Sequence, residues 1–237
     1  AAPWIAAPVR VLFRGYRNVT TLLGEVTRIA PDAREVLLSD GTRIAYDHLI
    51  VAAGATHSYF GNDRWASVAP GLKTLADAFE IRRRVLMSFE AAEKETDPER
   101  RRALLTFAVI GAGPTGVEMA GTLAEIARHT LEGEFRHIDP ASAVILLIEG
   151  GSRVLQAMPD ELSRKAQLQL EKLGVDVRLN ARVTAIDATG LQVQMAAAPA
   201  GDASAPPENL RIETRCVVWA AGVAASPLGK MLAQATG

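Results

Sequence analysis

The feature that most constrains this chain is a glycine-rich turn between an apolar run and an Ala-rich helical pattern. Residues 104–110 are mostly apolar, and Gly111, Gly113 and Gly116 follow in the spacing G-x-G-x-x-G. A short apolar run predicts a buried strand, and the pattern after the glycines predicts a helix. The sequence therefore predicts a strand, a tight turn and a helix as the central unit of an α/β fold.

The three glycines meet three different steric demands. Gly111 permits the turn, Gly113 lets the backbone approach a pyrophosphate without an intervening Cβ, and Gly116 lets the helix lie close to the strand. The free N–H groups at the helix start and the positive end of the helix dipole then face the phosphates. We therefore predict a dinucleotide site here, in preference to a turn with only a structural role.

A second predicted strand, residues 143–148, ends in Glu149. A carboxylate at this point accepts hydrogen bonds from the hydroxyls of the adenine ribose and repels a 2′-phosphate, so it favours NAD over NADP. Glu149 stands farther from the glycines than the roughly 20 residues that are usual, which predicts an extra turn or helix within 131–142. The alternative is an ordinary solvent-facing acid. Arg153 is the one nearby residue expected to tolerate a phosphate.

The rest of the pattern predicts a Rossmann-like βαβ nucleotide-binding domain with a three-stranded β-meander. Asp40-Gly41 predicts a tight hairpin, and residues 196–207 are predicted to form a low-complexity loop. Thr74 and Asp77 predict a capped helix over 74–94, with a buried stripe at Leu75, Phe79, Leu86 and Phe89. A second helix is expected to start at Pro159. Further strands are expected at 19–29, 35–39, 43–46, 48–56, 175–179, 183–186, 191–195 and 217–222.

The composition excludes several classes of function. The chain has 237 residues, 49% of them hydrophobic, and a formal net charge of -1, which gives no long-range attraction to nucleic acid or an anionic membrane. The longest apolar run, 103–113, is far short of the roughly 20 residues that span a bilayer. A single cysteine, Cys216, permits no internal disulfide and suits a reducing cytoplasm. The four histidines lie without carboxylates or cysteine at ligand spacing, so no metal site is predicted.

Two features then coincide: the nucleotide-binding βαβ with its meander, and two apolar strands that end at 51–54 and 219–222 in Ala-Ala-Gly. Together they resemble the flavoproteins with two dinucleotide-binding domains. More narrowly, residues 46–60, 111–118, 126–129, 136–140 and 217–223 resemble the single-subunit type II NADH dehydrogenases, which are NADH:quinone oxidoreductases of bacteria and mitochondria. The resemblance extends over nearly the whole chain from about residue 19.

Three segments of that family are absent from this sequence: the N-terminal G-x-G-x-x-G for the FAD pyrophosphate, a later Gly-Asp segment for the flavin, and an amphipathic C-terminal region. The resemblance therefore implies a middle fragment. Residues 1–73 are expected to be the remnant of an FAD domain of the same type, and 74–237 a complete NAD(H)-binding domain. The family's Ala-Thr-Gly motif usually has Thr where this chain has Ala53, which removes a hydroxyl near the flavin.

The resemblance also implies the roles of individual residues. Glu118 matches a position beside the nicotinamide and the flavin and is the candidate catalytic residue; the alternative is an acid favoured by the helix dipole. Glu149 is expected to hold the adenosine ribose, with Gly150 and Arg153 beside it. The pyrophosphate is expected to lie on Gly111, Ala112, Gly113, Pro114, Thr115 and Gly116. Ala221 and Gly222 are expected to line the nicotinamide side, and Val26, Ala53 and Gly54 to back the FAD of the whole enzyme.

The implied reaction is hydride transfer from NADH to FAD, followed by reduction of a quinone. Such a reaction needs no side-chain acid, base or nucleophile in its first step, because the cofactors supply the chemistry. NAD(H) is expected in this chain and FAD in the full-length parent, which is expected to be peripheral on the cytoplasmic face of the inner membrane. Exposed apolar surface at 49–55 predicts a homodimer. The alternatives are a related ferredoxin-type or disulfide reductase, or an NAD-binding module without catalysis of its own.

Overall fold

The computed structural model describes residues 7–196 and 208–236. It divides the chain into two compact units, one formed by residues up to 56 and from 224 onward, the other by His57–Val223. The sequence placed one boundary between residues 73 and 74. The observed division differs because Tyr59, Trp65 and Ala69 are buried in one apolar cluster with Trp219. The assignment of the parts to an FAD remnant and an NAD domain stays a prediction. The predicted loop 196–207 lies, apart from its first residue, outside the described residues.

The described residues contain twelve strands. They are β1 (Val26–Ala30), β2 (Glu35–Leu38), β3 (Arg43–Ala45), β4 (Ala55–His57), β5 (Thr106–Ile110), β6 (Val144–Ile148), β7 (Val175–Arg178), β8 (Ala181–Ile186), β9 (Gly190–Met195), β10 (Glu208–Glu213), β11 (Cys216–Trp219) and β12 (Val223–Ala225). The α-helices are α1 (Val9–Leu12), α2 (Leu75–Lys94), α3 (Pro98–Leu104), α4 (Pro114–Glu125), α5 (Asp160–Lys172) and α6 (Pro227–Thr236).

The centre of the larger unit is a parallel sheet in the order β11-β5-β6-β7. Its register pairs Ile110, the last residue of β5, with Ile148 of β6 and Trp219 of β11. Every residue of β5 is buried. Because side chains alternate along a strand, Phe107 packs in the cluster under α2, α4 and α5, whereas Ala108 packs under the meander β8-β9-β10. The predicted βαβ fold with its three-stranded meander is confirmed.

The helix α2 begins as predicted, but only part of the predicted stripe is buried. Thr74 and Asp77 form a reciprocal capping box. The buried residues are Ile81, Val85, Ser88, Phe89 and Ala92, while the predicted Leu75 and Phe79 are 41% and 57% exposed. Both stripes have helical spacing, so periodicity alone does not choose between them. The helix packs on the core from Ile81 onward, and most of the residues before Ile81 face solvent.

The connection from α4 to β6 contains the predicted extra structure. A π-helical turn, Ile126–Thr130, continues α4, and a 3-10 turn, Pro140–Ser142, precedes β6. Glu93 of α2 holds the segment between them. Its carboxylate accepts hydrogen bonds from the backbone N–H groups of Arg136, His137 and Ile138 at 2.9–3.1 Å and lies 2.9 Å from the His137 ring nitrogen Nδ1. The sequence did not predict α3, which the Asp97 side chain caps.

The smaller unit contains the antiparallel meander β1-β2-β3, with the predicted hairpin at Asp40-Gly41 and α6 packed on β1. Two predictions are wrong here. The strand expected at 19–29 begins only at Val26, and 48–54 form no strand; only β4, from residue 55, pairs with β12. Ile50 is 87% exposed. A strand needs a hydrogen-bonding neighbour, and no strand of the described residues lies beside 48–54.

We expect Glu93→Gln to destabilise the chain at neutral pH. Burial opposes ionisation of Glu93, but hydrogen bonds from Arg136 and His137 outweigh it and lower the pKa of the carboxyl from 4.5 to about 2. A pKa that falls on folding stabilises the folded state above the unfolded-state pKa, and this stabilisation is lost as the pH falls through the folded-state value. The difference in thermal midpoint between wild type and variant should therefore be largest above about pH 5 and should shrink toward pH 2.

The control is Glu90→Gln on the same helix, where the side chain is exposed. It should leave the thermal midpoint unchanged across the same pH range. If the thermal midpoint of Glu93→Gln matched that of wild type at every pH, the carboxylate would not hold the connection between α4 and β6.

Candidate functional site

The glycine-rich turn lies between the end of β5 and the start of α4. Gly111 has φ +97, and a Cβ on it would lie 2.5 Å from the Ala221 Cα. A Cβ on Gly116 would lie 1.8 Å from the Gly111 carbonyl oxygen. A Cβ on Gly113 would meet no atom within 4 Å. Gly111 and Gly116 are therefore required by the protein's own packing, whereas Gly113 borders open space that a ligand can enter.

Backbone donors at the start of α4 have no partner within the helix. The first helical hydrogen bond runs from the Val117 N–H to the Gly113 carbonyl oxygen at 3.0 Å, so the N–H groups of Thr115 and Gly116 precede the helical ladder. Gly113 stands at the N-cap position with no side-chain cap, and the first turn holds no acid. The helix dipole concentrates positive charge at such a terminus, which suits an anionic ligand.

Glu149, the residue after β6, binds to the glycine-rich turn directly. One carboxylate oxygen, Oε2, accepts the backbone N–H of Ala112 at 2.7 Å. The other, Oε1, accepts the backbone N–H of Gly151 at 2.8 Å and the side-chain amide of Gln156 at 3.1 Å. The acid predicted for the ribose is thus placed beside the turn, and it is oriented by three donors of the chain itself.

The loop between β6 and α5 forms the opposite wall of this space. The Leu155 N–H donates to the Ala112 carbonyl oxygen at 2.8 Å. Arg153 does not face the space: its guanidinium donates to the carbonyl oxygens of Gln156 and Met158 and pairs with Asp160 at 2.6 Å. These bonds hold Arg153 against its own loop. The geometry therefore does not support the expectation that Arg153 would accommodate a phosphate. The resulting cleft, ≈ 240 Å³, is lined by Ala112, Gly113, Pro114, Glu149, Leu155, Gln156, Ala157 and Met158.

A second cleft of ≈ 290 Å³ lies at the same carboxyl edge of the sheet and shares Glu149 with the first. In doubly wound folds this edge is where ligands bind. The other lining residues are Phe60, Asn62, Trp65, Ile110, Gly111, Ile148, Gly150, Ala181, Arg182, Val183, Trp219 and Ala221. The structure thus brings Gly150 and Ala221 to the same cleft as Gly111 and Glu149.

Aromatic rings enclose part of this cleft, and we did not predict them from the sequence. Ring centroids of Tyr59, Phe60 and Trp65 lie 5.1, 6.1 and 5.6 Å from that of Trp219. The Trp219 indole N–H donates to the Ser58 carbonyl oxygen at 2.8 Å. A signal was available, because three aromatic residues stand close together at 59–65 after the predicted strand.

The remaining predicted residues are less directly placed. Gly222 packs against the 58–60 segment, since a Cβ on it would lie 2.7 Å from the Phe60 ring and 2.9 Å from the Ser58 carbonyl oxygen. Glu118 is exposed in the second turn of α4, beyond the first turn where a dipole effect is expected. The residues expected to back the FAD, Val26, Ala53 and Gly54, belong to the smaller unit.

No cluster of three or more His, Cys, Asp or Glu side chains in residues 7–196 and 208–236 is arranged to hold a metal ion. No helix in those ranges has the length and apolarity to cross a bilayer.

The sequence pattern of the pyridine nucleotide-disulphide oxidoreductases matches residues 4–236. The chain belongs to this family. It is 50% identical over 233 residues to the type II NADH:quinone oxidoreductase Ndh of Mycobacterium tuberculosis, and 49% identical over 233 residues to NdhA of the same organism. Each alignment covers 97% of this chain and 48% of the relative, so the chain spans about half the length of these curated relatives.

Similar solved structures support the fold. The NDH2 of Plasmodium falciparum, solved in complex with NADH, superposes with a TM-score of 0.77 at 24% identity. The match covers 91% of this chain and 44% of that one. At this identity the likeness concerns the fold, and the roles of individual residues depend on the geometry described above.

The three glycines should respond differently to the same change. Gly111→Ala and Gly116→Ala each force a Cβ into backbone atoms, so we expect each to lower the free energy of unfolding by about 2 kcal/mol or more. Gly113→Ala should stay within about 1 kcal/mol of wild type, because its Cβ meets open space. Denaturant unfolding measures all three. Equal losses would mean that Gly113 is also packed by the protein.

Proposed function

We propose that this chain binds NADH at the glycine-rich turn and is the NAD(H)-binding part of an FAD-dependent NADH:quinone oxidoreductase. The observation that carries the proposal is the open, uncapped start of α4 at Gly113 with Glu149 fixed beside it. The 50% identity to a mycobacterial type II NADH:quinone oxidoreductase supports the choice of this member of the family.

In this proposal the pyrophosphate lies against the N–H groups of Gly113, Thr115 and Gly116. Glu149 accepts a hydrogen bond from a hydroxyl of the adenosine ribose. Ala221 lines the cleft that receives the nicotinamide end, and the rings around Trp219 keep water from one side of it. When bound, the nicotinamide supplies the hydride and the flavin accepts it, so the work of this chain is to bind and orient.

Glu118 is the candidate catalytic residue of the larger enzyme, beside the nicotinamide and the flavin. Its exposure on α4 leaves the carboxylate available to a ligand. The assignment comes from the resemblance of 111–118 to the family. It predicts slower flavin reduction in Glu118→Gln with unchanged NADH affinity, and an unchanged rate would refute it.

We expect Glu149→Gln to weaken the preference for NADH over NADPH by roughly tenfold or more, since a hydrogen bond to a charged group is worth about 1.5–3 kcal/mol. The variant keeps an oxygen for the Ala112 N–H but removes the charge that repels a 2′-phosphate. Fluorescence titration of the chain with each nucleotide measures the ratio. Gln169→Leu, an exposed position on α5, is the control. An unchanged ratio would show that Glu149 does not contact the ribose.

A flavin titration separates the proposed enzyme part from its alternatives. The purified chain is incubated with FAD, excess FAD is removed, and NADH is added without oxygen. Flavin that stays bound and bleaches would identify a working dehydrogenase core. NADH binding without flavin retention would identify an NAD-binding module. Failure to bind NADH at all would overturn the proposal.

A disulfide reductase is the less favoured member of the same family. Such an enzyme needs a reactive cysteine pair, and the sequence contains one cysteine. Cys216 is buried, and burial raises the pKa of its thiol to about 12. A protonated, inaccessible thiol is a poor nucleophile.

The location and assembly of the parent protein are also proposals. A peripheral position on the cytoplasmic face of the inner membrane follows from the resemblance, and flotation of the parent with vesicles tests it. Leu49 and Val51 are 36% and 37% exposed on either side of the more exposed Ile50. This apolar surface supports a homodimer; sedimentation of the chain as a monomer at micromolar concentration would contradict it.

A further inference from the structure

The three donors that hold Glu149 differ in kind. The N–H groups of Ala112 and Gly151 are parts of the backbone and bond to different carboxylate oxygens, so they orient the group by themselves. The third donor is the side-chain amide of Gln156 at 3.1 Å, and Gln156 is exposed. A backbone donor moves only with its loop, whereas an exposed amide is released by rotation about side-chain bonds.

The backbone that carries this amide is held in place. Arg153 donates to the Gln156 carbonyl oxygen at 2.9 Å and, with its bond to Met158 and its ion pair with Asp160, ties the loop to the start of α5. Leu155 ties the same loop to Ala112. The side chain of Gln156 is therefore free to leave Glu149 without any movement of the cleft wall.

Gln156 also borders the cleft in which we place the ligand. Gln156 lines the cleft together with Gly113 and Glu149, and its amide donates to Glu149 as a ribose hydroxyl would. Two donors in one direction compete for the same lone pairs of the oxygen. Oε1 already accepts two hydrogen bonds, from Gly151 and Gln156, so a ribose hydroxyl that binds this oxygen must displace the amide.

We propose that Gln156 is a displaceable cap on Glu149: its amide occupies the position of the adenosine 2′-hydroxyl in the free chain and is replaced by that hydroxyl when NADH binds. The inference rests on the function proposed above and adds a positioning residue to the same site. The amide satisfies the carboxylate in the absence of ligand, and its displacement lowers the affinity for NADH. Removing the cap should therefore tighten binding.

Two variants remove the cap by independent routes. Gln156→Leu deletes the amide at similar size. Gly151→Ala keeps the N–H that donates to Glu149, but its Cβ would lie 1.8 Å from the Gln156 Nε2, and the flexible side chain must swing away. Each should lower the dissociation constant for NADH by roughly twofold to tenfold, the equivalent of one modest hydrogen bond. The Gln169→Leu control should leave it unchanged.

The test compares NADH with 2′-deoxy-NADH, which lacks the hydroxyl, by fluorescence titration of the wild-type chain and each variant. The cap predicts tighter binding of NADH and an unchanged dissociation constant for the deoxy analogue. A purely structural role of Gln156 would change the thermal midpoint, or would change the dissociation constants of both ligands equally. Either result would overturn the cap. Suppose that the wild-type chain binds NADH, that Glu149→Gln weakens this binding, and that both cap variants leave it unchanged. The cap is then refuted and the proposed function stands. If wild type binds no NADH, both are refuted.

Discussion

The hydrogen bond between the Glu149 carboxylate and the Ala112 N–H is the contact on which the candidate site depends. It exists because β5 and β6 are parallel neighbours in a register that pairs Ile110 with Ile148. The residues that follow these strands must then meet, and the Gly111 N–H donates to the Ile148 carbonyl oxygen at 2.7 Å just before Ala112 donates to Glu149. The apolar sheet thus determines where an acid stands relative to the start of α4, and a ligand site follows from strand pairing.

Features encoded by a short local pattern could be predicted from the sequence. The glycine spacing forecasts which positions tolerate a Cβ, because a turn with φ +97 at Gly111 and a close approach at Gly116 are properties of about six consecutive residues. The capping box of Thr74 and Asp77 is equally local. The position of Glu149 after a buried strand could also be predicted, because parallel strands end at a common edge.

Features that depend on distant neighbours could not be predicted in the same way. Residues 48–54 have the composition of a buried strand, but a strand forms only where another strand offers hydrogen bonds. Arg153 has the charge to meet a phosphate, yet three partners within its own loop and at the start of α5 take up its guanidinium. The aromatic cluster joins 59–65 to Trp219, and no local pattern reveals a contact over so long a separation.

The site contains two kinds of position, and they carry different information about function. Gly111, Gly116 and Glu149 contact the protein itself. A change at one of them that breaks such a contact alters the fold of the turn as well as the binding of a ligand. Gly113 and the Gln156 amide border the cleft and contribute little to packing. Natural selection for stability alone places few constraints on such positions. A glycine at 113, where the protein has room for a side chain, is therefore best explained by something outside the chain that fills the space.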